Sequence, residues 1–338
     1  MRRLALIVLA SLALPVAQAR AVDVVDATGR TVAVPDAVHR VLPAGPPAAV
    51  LLAALAPDLM LGWPHPPSGP AAALLPPSLA QLLEIPVLTG REDVTQAVAA
   101  LHPDLIIDYG STGPRYTETA EQTQANTGIP TLLLDGRLAY TSLVLRLLGR
   151  TLHREERGEE LARIAEGILA SVGHASGHHP SVVYVRGAEG NQVIVPGSNN
   201  SETLEFLGWK LLAPPPRPGE PPHPSFRAAT PAEIAALDPD IVIFSDPAMR
   251  DRAAQSEDWQ AVRALRERHA WVAPSAPFGW IESPPSLNRL LGLAWLTDGE
   301  PHEGVVPLAA VFGAAVYRRT PTPAQIEDLR TSLQPISR

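Results

Sequence analysis

The chain has 338 residues, of which 46% are hydrophobic and 18% are charged, and its formal net charge is −8 at pH 7. This apolar content excludes a disordered chain, and an acidic balance without basic runs excludes a nucleic-acid-binding surface, so no nucleic acid is expected as a partner. The absence of cysteine excludes disulfides, thiolate nucleophiles and a lipid anchor attached through cysteine.

The first residues have the pattern of a secretory signal peptide. Two arginines precede the apolar run Leu4–Val16, and small residues follow at Ala17 and Ala19. A basic start, a short apolar run and a small-residue cleavage site are typical of export, and the run is short for a membrane span. We predict a signal peptide at residues 1–21 and a mature protein in the bacterial periplasm, with a buried N-terminal helix as the alternative.

Residues 22–138 alternate between predicted strands and helices. In chain order the predictions are a hairpin at 22–34, strands at 40–43, 59–62, 86–88, 105–109 and 129–134, and helices at 48–55, 94–101 and 117–127. Because strands and helices alternate and the strands are apolar throughout, this half is predicted to be a doubly wound α/β lobe with buried parallel strands.

The segment 139–172 has a different pattern. Leucine and isoleucine recur in it at helical spacing, and it contains no proline. We predict one continuous helix of roughly 30 residues, about 45 Å long, that connects two lobes. Gly149 and Gly158 weaken this helix without being expected to break it.

The second half repeats the first in outline. Strands are predicted at 181–185, 193–195, 241–244 and 271–273, and helices at 201–207, 231–237, 259–268 and 287–296. Residues 173–300 are therefore predicted to form a second doubly wound α/β lobe, with a ligand cleft between the lobes. Residues 301–338 follow as a C-terminal extension.

One internal similarity links the two halves. Residues 98–107 and 234–243 each contain the end of a helix, a Pro-Asp pair and an apolar strand. The two segments occupy equivalent places in their halves, which favours two related lobes over a chance likeness.

An exported chain with two α/β lobes and a long joining helix resembles the periplasmic binding proteins of ABC importers, of the class with a rigid helical connector. The hairpin around Asp26–Arg30 and the turn Pro196–Ser198 ahead of a helix are also similar to that class. The resemblance covers residues 22–300 and implies iron–siderophore complexes, haem, cobalamin or metal oxyanions as ligands. Residues Phe278–Arg289 resemble a stretch found in members that bind iron complexes or molybdate-like anions.

The resemblance also implies partners, and here the chain departs from the family. Members usually carry a glutamate seven residues before the Pro of each Pro-Asp pair, where it binds permease arginines. Those positions are Gln96 and Ala232 in this chain, so Asp93 and Glu233 are the predicted docking residues. The expected partners are an ABC permease dimer with its ATPase and a small-molecule metal complex, and the protein is expected to be a monomer.

Candidate ligand-binding residues follow from the loops at the carboxyl ends of the predicted strands, where α/β lobes bind ligands. They are Gly45, Tyr109, Ser111, Arg186, Trp280, Ser283 and Arg289. Arg186 is predicted to bind a carboxylate or oxyanion through paired N–H groups, with a surface ion pair to Glu189 as the alternative. Core packing is the alternative for Tyr109 and Trp280.

Histidine offers weak metal-binding candidates. His65 and His223 lie in two Pro-rich loops, one in each lobe, and would ligate a bound metal if the loops met across the cleft. The cluster His174, His178 and His179 is predicted to be a solvated loop.

These observations predict a binding protein that captures a metal complex, with an iron–siderophore chelate favoured. A molybdate- or tungstate-type oxyanion, haem and cobalamin are the alternatives on the same fold. No cofactor of the protein itself is expected. An exported hydrolase or chelatase-like enzyme is the alternative of another class, although the nucleophile-elbow, phosphate-loop and dinucleotide-binding motifs do not occur in the sequence.

Overall fold

The computed structural model describes residues 20–88, 91–172, 179–221 and 224–335. Apart from Arg20 and Ala21, the predicted signal peptide lies outside these ranges. Within them, no helix has both the length and the apolar content that crossing a membrane requires.

In the described ranges the strands are β1 (Ala21–Val25), β2 (Thr31–Pro35), β3 (Val41–Pro43), β4 (Leu105–Gly110), β5 (Thr131–Asp135), β6 (Ser181–Arg186), β7 (Gln192–Ile194), β8 (Lys210–Leu211), β9 (Phe226–Ala228), β10 (Ile241–Phe244) and β11 (Ala270–Val272). Two short 3-10 helices cover Leu138–Tyr140 and Glu303–Val305. The α-helices of the same ranges are α1 (Pro46–Leu55), α2 (Gly69–Ala73), α3 (Pro77–Ala80), α4 (Glu92–Ala99), α5 (Pro114–Thr127), α6 (Thr141–Thr151), α7 (Glu155–Val172), α8 (Glu202–Phe206), α9 (Pro231–Leu237), α10 (Pro247–Gln255), α11 (Glu257–Gln260), α12 (Arg263–Arg266), α13 (Arg289–Leu296), α14 (Val306–Tyr317) and α15 (Pro323–Ser332).

The two predicted α/β lobes are confirmed. In the N-terminal lobe, β3, β4 and β5 form a parallel sheet in that order. In the C-terminal lobe the order is β11-β10-β6-β7-β9, with β8 also paired to β6. The central strands β4, β5, β6 and β10 are buried along nearly their whole length, which is why their sequences are continuously apolar.

Three predicted elements differ in detail. Residues 59–62 contribute a single bridge between Val41 and Met60, and residues 86–88 contribute a hydrogen bond from Leu88 N to Ala44 O (2.8 Å) without forming a ladder. The predicted helix at 259–268 is divided into α11 and α12, because Val262 between them has an extended backbone conformation.

The prediction of one continuous connecting helix over 139–172 is wrong. The helix ends at Thr151, His153 has a left-handed conformation with φ of 52°, and α7 begins at Glu155. Gly149 and Gly158 allow α6 and α7 to fold back on each other, since a Cβ on Gly158 would lie 2.7 Å from the carbonyl oxygen of Leu145. The glycines therefore make the close approach of a helical hairpin possible.

Charge pairs hold this hairpin closed, and α7 alone leads into the second lobe. Arg146 on α6 contacts Glu159 (Nε to Oε2, 2.6 Å) and Glu166 (Nη1 to Oε1, 2.5 Å), both on α7. With 18 residues, α7 is about 27 Å long. Arg157 near its start donates to the carbonyl of Ala54 in α1 (3.0 Å), so the helix is anchored to the N-terminal lobe.

The C-terminal extension is an integral part of the fold. Helix α14 buries Phe312 and Tyr317 in the main core and packs against α1 of the N-terminal lobe. Its end is bound by Arg157, whose Nη2 donates to the carbonyl oxygen of Val316 (2.7 Å). The role of this segment is not readable from local sequence, because its contacts are to residues distant in the chain.

The internal similarity is visible in three dimensions. His102 and Asp238, which follow the equivalent helices, both have left-handed backbones, with φ of 48° and 46°. The aspartate two residues on then binds the start of the neighbouring strand. Asp104 Oδ2 accepts from the backbone N–H of Arg40 (2.9 Å), and Asp240 Oδ2 accepts from that of Ser181 (2.9 Å). Each lobe thus uses the Pro-Asp pair to align two parallel strands.

Replacing one of these aspartates tests the alignment. Asp240→Asn is expected to lower the free energy of unfolding by about 1 kcal/mol, since a charge-assisted acceptor is lost at a partly exposed position. Hydrogen bonds from Ser181, with Arg263 nearby, lower the pKa of Asp240 to about 2 from 3.8. The contribution of the Asp240 carboxylate to the free energy of unfolding is therefore present above pH 3.8 and lost as the pH falls through 2.

Urea unfolding at pH 7 and near pH 2 measures this difference. Asp23→Asn, on an exposed position of β1, is the matched control and should change stability by less than about 0.5 kcal/mol. An Asp240→Asn variant as stable as the parent at pH 7 would show that the aspartate does not align the strands.

Candidate ligand-binding cleft between the lobes

A cavity of about 500 Å³ lies where the two lobes face each other. The N-terminal lobe contributes the start of α1 and the loop around Trp63–Pro67, and the C-terminal lobe contributes Arg186, Phe226 and the segment 277–285. Strand β6 ends at Arg186, and α1 begins just after β3, so both walls lie at the carboxyl ends of parallel strands. This is the edge at which α/β sheets bind ligands.

Arg186 is the charged centre of the cleft. Its Nε lies 3.3 Å from each carboxylate oxygen of Glu282, and its guanidinium lies over the ring of Phe226 at 4.1 Å from the centroid. The Arg186 side chain is 35% exposed, whereas that of Glu282 is 2% exposed. The aromatic ring and the buried carboxylate thus hold the guanidinium in place, while its outer side faces the cavity.

A buried tyrosine lies beside this pair. Burial raises the pKa of Tyr184 well above its ordinary value, and the negative charge of Glu282 raises it further. Tyr184 therefore remains neutral at physiological pH. The Arg186–Glu282 pair of the cleft is thus next to a neutral phenol, which borders a smaller adjoining cavity.

The segment that carries Glu282 is shaped by its backbone. Gly279 donates its N–H to the carbonyl of Ser283 (3.2 Å), and a Cβ at Gly279 would lie 1.6 Å from the carbonyl oxygen of Glu282, so only glycine fits there. The hydroxyl of Ser286 donates to the carbonyl of Pro47 (2.9 Å), which fixes the segment against α1. The turn directs Glu282 inward and leaves Ser283 exposed on the wall.

Proline dominates the remaining wall. Of the 16 described residues that line the cavity, seven are proline, namely Pro46, Pro47, Pro64, Pro67, Pro277, Pro284 and Pro285. Proline has no backbone N–H, and two of these residues occupy the first positions of α1. The N-terminus of α1 therefore lacks two of the backbone donors that a helix usually presents to an anion.

The structure brings three of the predicted residues to the cleft. Arg186, Ser283 and His65 all line the cavity. Gly45 precedes the lining residue Pro46 as the N-cap of α1. Ser111 follows β4, where its Oγ accepts from the N–H of Gly113 (3.3 Å), and it does not line the cavity.

Tyr109, Trp280 and Arg289 depart from the predicted role. Each of these residues is only 1% exposed, and none of the three lines the cleft. Trp280 packs edge-to-face against Trp295, with ring centroids 6.4 Å apart. Burial raises the pKa of Tyr109. Tyr109 lies near the end of β4, and Trp280 and Arg289 come after β11 in the sequence, but packing between the lobes makes all three part of the core.

Arg289 binds the two lobes together. Its Nη1 contacts Glu202 Oε2 (2.5 Å), its Nη2 donates to the carbonyl of Gly136, and the other Glu202 oxygen accepts from the N–H of Leu138 (2.8 Å). Gly136 lies so near Gly110 that a Cβ would approach the Cα of Gly110 to 2.6 Å. The end of β5 in one lobe is thus joined to α8 and α13 of the other.

Sequence reasoning missed Glu282, Phe226 and Trp63. Glu282 lies between two nominated positions, Trp280 and Ser283, and its charge in an otherwise apolar stretch was the available signal. Trp63 lies in a loop and Phe226 begins the three-residue strand β9, and neither segment is long enough to show a periodicity. Only the tertiary structure places these two rings at the cavity.

The histidine prediction is only partly covered by the structure. His65 lines the cavity, whereas His223, His174 and His178 lie outside the described residues. His179 contacts the carbonyl of Leu207 through Nδ1 (3.1 Å). Among the described residues no group of three His, Asp or Glu side chains is arranged to hold a metal ion.

The two predicted docking residues lie at helix starts. Asp93, in the first turn of α4, forms an exposed pair with Arg91 (Oδ2 to Nη2, 2.8 Å). Glu233, in the first turn of α9, accepts from the N–H of Thr230 (2.8 Å) and from Arg217 Nη2 (2.7 Å). These hydrogen bonds, that from the Thr230 backbone first, lower the pKa of Glu233. Its carboxylate therefore caps the helix as well as carrying surface charge.

Removing the contacts of Arg289 with Glu202 and Gly136 is expected to destabilise the protein. Arg289→Met is expected to lower the free energy of unfolding by about 3 kcal/mol, because Glu202 loses its buried partner. Arg330→Met breaks an exposed pair with Glu327 and is the control, with an expected loss of about 0–1 kcal/mol. Urea unfolding compares the two variants, and equal losses would contradict a special role for Arg289.

A sequence model of the family described as "Periplasmic binding protein" matches residues 49–277. A search of curated proteins finds no match to the chain. Solved structures do match. An ABC transporter solute binding protein from Sulfurospirillum deleyianum has a TM-score of 0.79 and 21% identity, and the match covers 93% of this chain and 99% of that one.

Two further structures have the same fold. The molybdate periplasmic binding protein MolA of Haemophilus influenzae, solved with molybdate, has a TM-score of 0.67 and 16% identity over 89% of this chain and 99% of its own. The Helicobacter pylori protein CeuE, solved as a Ni-His complex, has a TM-score of 0.63 and 14% identity, and the match covers 91% of this chain and 99% of that one. At these identities the likeness shows the fold.

Proposed function

The chain belongs to the periplasmic binding protein family, and we propose that it is the substrate-binding component of an ABC importer for a small organic metal chelate. An iron–siderophore type of complex is the proposed ligand class. The protein would bind the chelate in the periplasm and deliver it to a permease dimer driven by its ATPase.

The proline wall of the cleft is the observation that carries the ligand class. A bare oxyanion such as molybdate is bound best by several backbone N–H groups and hydroxyls in a small dry site, whereas seven residues of this wall lack an N–H. Proline rings and the rings of Trp63, Phe226 and Phe278 instead offer apolar contact to an organic shell. A chelate presents such a shell around its metal.

The position of Arg186 is the reason to propose that the chelate carries an anionic group. Only its Nε is paired with Glu282, and its two Nη atoms donate to no other described residue. Terminal guanidinium nitrogens form paired hydrogen bonds with a carboxylate or another planar anion. The alternative of a surface pair with Glu189 finds no support, since the contact of Arg186 is to Glu282.

The size of the cleft supports a compact ligand. Its volume of about 500 Å³ falls in the ordinary range of small-molecule sites, roughly 300–1,000 Å³. Such a volume fits a single metal chelate enclosed by both lobes. We propose that His65, which lines the wall, contacts the metal of the chelate. Haem or cobalamin binding would require the walls to separate.

Ligand binding by Arg186 is tested with an anionic ferric chelate, ferric tris-catecholate. Arg186→Gln is expected to weaken binding by about 1.5–3 kcal/mol, roughly 10- to 100-fold, since a charge-assisted hydrogen bond is lost. Isothermal titration measures the affinity. Arg115→Gln, on α5 outside the cavity wall, is the matched control and should bind as the parent does.

Two results would contradict the proposed ligand class. One is tight binding of molybdate with no binding of the ferric chelate. The other is native mass spectrometry of periplasmic protein that shows a bound species without metal. An Arg186→Gln variant with unchanged chelate affinity would remove this residue from the ligand contact but leave the class in place.

The proposed permease contact rests on Asp93 and Glu233, the first-turn carboxylates of equivalent helices in the two lobes. The double variant Asp93→Asn, Glu233→Gln is expected to slow uptake while ligand affinity stays unchanged, because such charges steer association. Uptake assays at matched protein levels measure the effect.

Helix capping needs its own control, since Glu233 also binds Thr230. Thr230→Val removes the hydroxyl of the capping box but keeps the carboxylate charge, so it should reduce stability and leave uptake normal. Normal uptake by the double variant would contradict the docking assignment. Slowed uptake by Thr230→Val would indicate that capping, not charge, is responsible.

A further inference from the structure

A second cavity lies beneath the two C-terminal helices, and we call it the C-terminal chamber. Its volume is about 650 Å³, and its walls are formed by α2, α10, α13, α14, α15 and the segment 272–277. Ala273 and Ser275 of that segment also border a smaller cavity that shares Arg186 and Glu282 with the cleft. The chamber is therefore adjacent to the ligand cleft and separated from it by one stretch of chain.

The chamber has the size and lining of a small-molecule site. Large apolar side chains face it from several elements, namely Leu74, Trp280, Leu291, Phe312, Tyr317, Ile326 and Leu329. Sites of this volume in proteins are mostly apolar with a few polar groups that orient the ligand. An apolar molecule that entered would be removed from water, which is favourable in proportion to the area buried.

One wall residue carries an unmet hydrogen-bond donor. The indole Nε1 of Trp280 is buried and has no hydrogen-bond partner among the described residues. A buried donor without a partner costs free energy that a ligand oxygen would recover. Trp280 was predicted to line the cleft, whereas it lies in the wall of this chamber.

Helix α15 covers the chamber without sealing it. None of its residues is buried, and Ile326 and Leu329 pack against the core only partly. Arg319 and Asp328 lie exposed on the chamber wall and form no ion pair with another described residue. Arg250, also on the wall, is paired with Asp251 (Nη2 to Oδ1, 2.7 Å), so the unpaired charges there are one of each sign. Charge at the rim therefore selects neither an anion nor a cation, and the selection falls to the apolar wall and the indole donor.

We propose that the C-terminal chamber is a second binding site, which takes a small, largely apolar molecule with one oxygen acceptor, the acceptor bound by Trp280 Nε1. The site is separate from the metal-chelate cleft and does not depend on the ligand class proposed for it. A hydroxyl or a carboxylate supplies the same acceptor chemistry.

Isothermal titration with 1-octanol and with octanoate tests the site. Binding of either probe at about 1 mM or below is expected from the usual free energy per ligand atom. Ala310→Trp on α14 places a large ring in the chamber and should abolish binding. Ala314→Trp, on the same helix but not in the chamber wall, is the matched control and should bind as the parent does.

The indole donor is tested separately. Trp280→Phe should weaken the binding of the probes by roughly 5-fold, the loss expected for one hydrogen bond. Trp295→Phe is the matched control, because Trp295 also has a buried, unpartnered indole N–H but does not line the chamber. Thermal unfolding verifies that each variant is folded.

Three results would overturn the proposal. They are absence of binding by both probes to the parent protein, binding that Ala310→Trp leaves unchanged, and equal weakening by Trp280→Phe and Trp295→Phe. Unchanged affinity of all these variants for the ferric chelate is expected, and it separates the chamber from the cleft.

Discussion

The buried contact of Arg289 with Glu202 and Gly136 is the constraint on which the cleft depends. Taking a guanidinium out of water is costly, and the cost is offset only when its donors are matched by acceptors in a fixed geometry. Here the acceptors come from both lobes, because Gly136 directly follows β5 and Glu202 begins α8. The lobes are therefore held at one spacing, and that spacing determines the width of the cavity in front of them.

The chemistry of the cleft follows from what its wall lacks. Proline at the start of α1 and in the facing segment removes backbone donors, so the polar selection falls to Arg186, Glu282 and a few side chains. Glu282 neutralises part of the charge of Arg186, whose terminal nitrogens have no hydrogen-bond partner among the residues that the structure describes. A wall of rings with one oriented cation suits an organic shell with an anionic group better than a bare, small oxyanion.

The two lobes show how a local sequence signal becomes a structural device. In both, a residue with a left-handed backbone ends a helix, and an aspartate then accepts N–H groups from the adjacent strand, as Asp104 and Asp240 do. The helices that precede these turns, α4 and α9, each carry a carboxylate in the first turn, Asp93 in α4 and Glu233 in α9. The similarity of residues 98–107 and 234–243 thus reflects a common way of starting a parallel pair of strands.

Local patterns in the sequence determined the strands, most helices and the two-lobe α/β class, because burial and periodicity are properties of neighbouring residues. Tertiary structure alone decided the rest. Gly149 and Gly158 were readable as mild defects in one long helix, but their mutual contact turns it into a hairpin. Likewise, Trp280 and Arg289 follow strand ends, where ligands bind, yet contacts with residues far along the chain bury them. Which side of a loop faces a ligand is decided by packing between distant segments, and no local pattern records it.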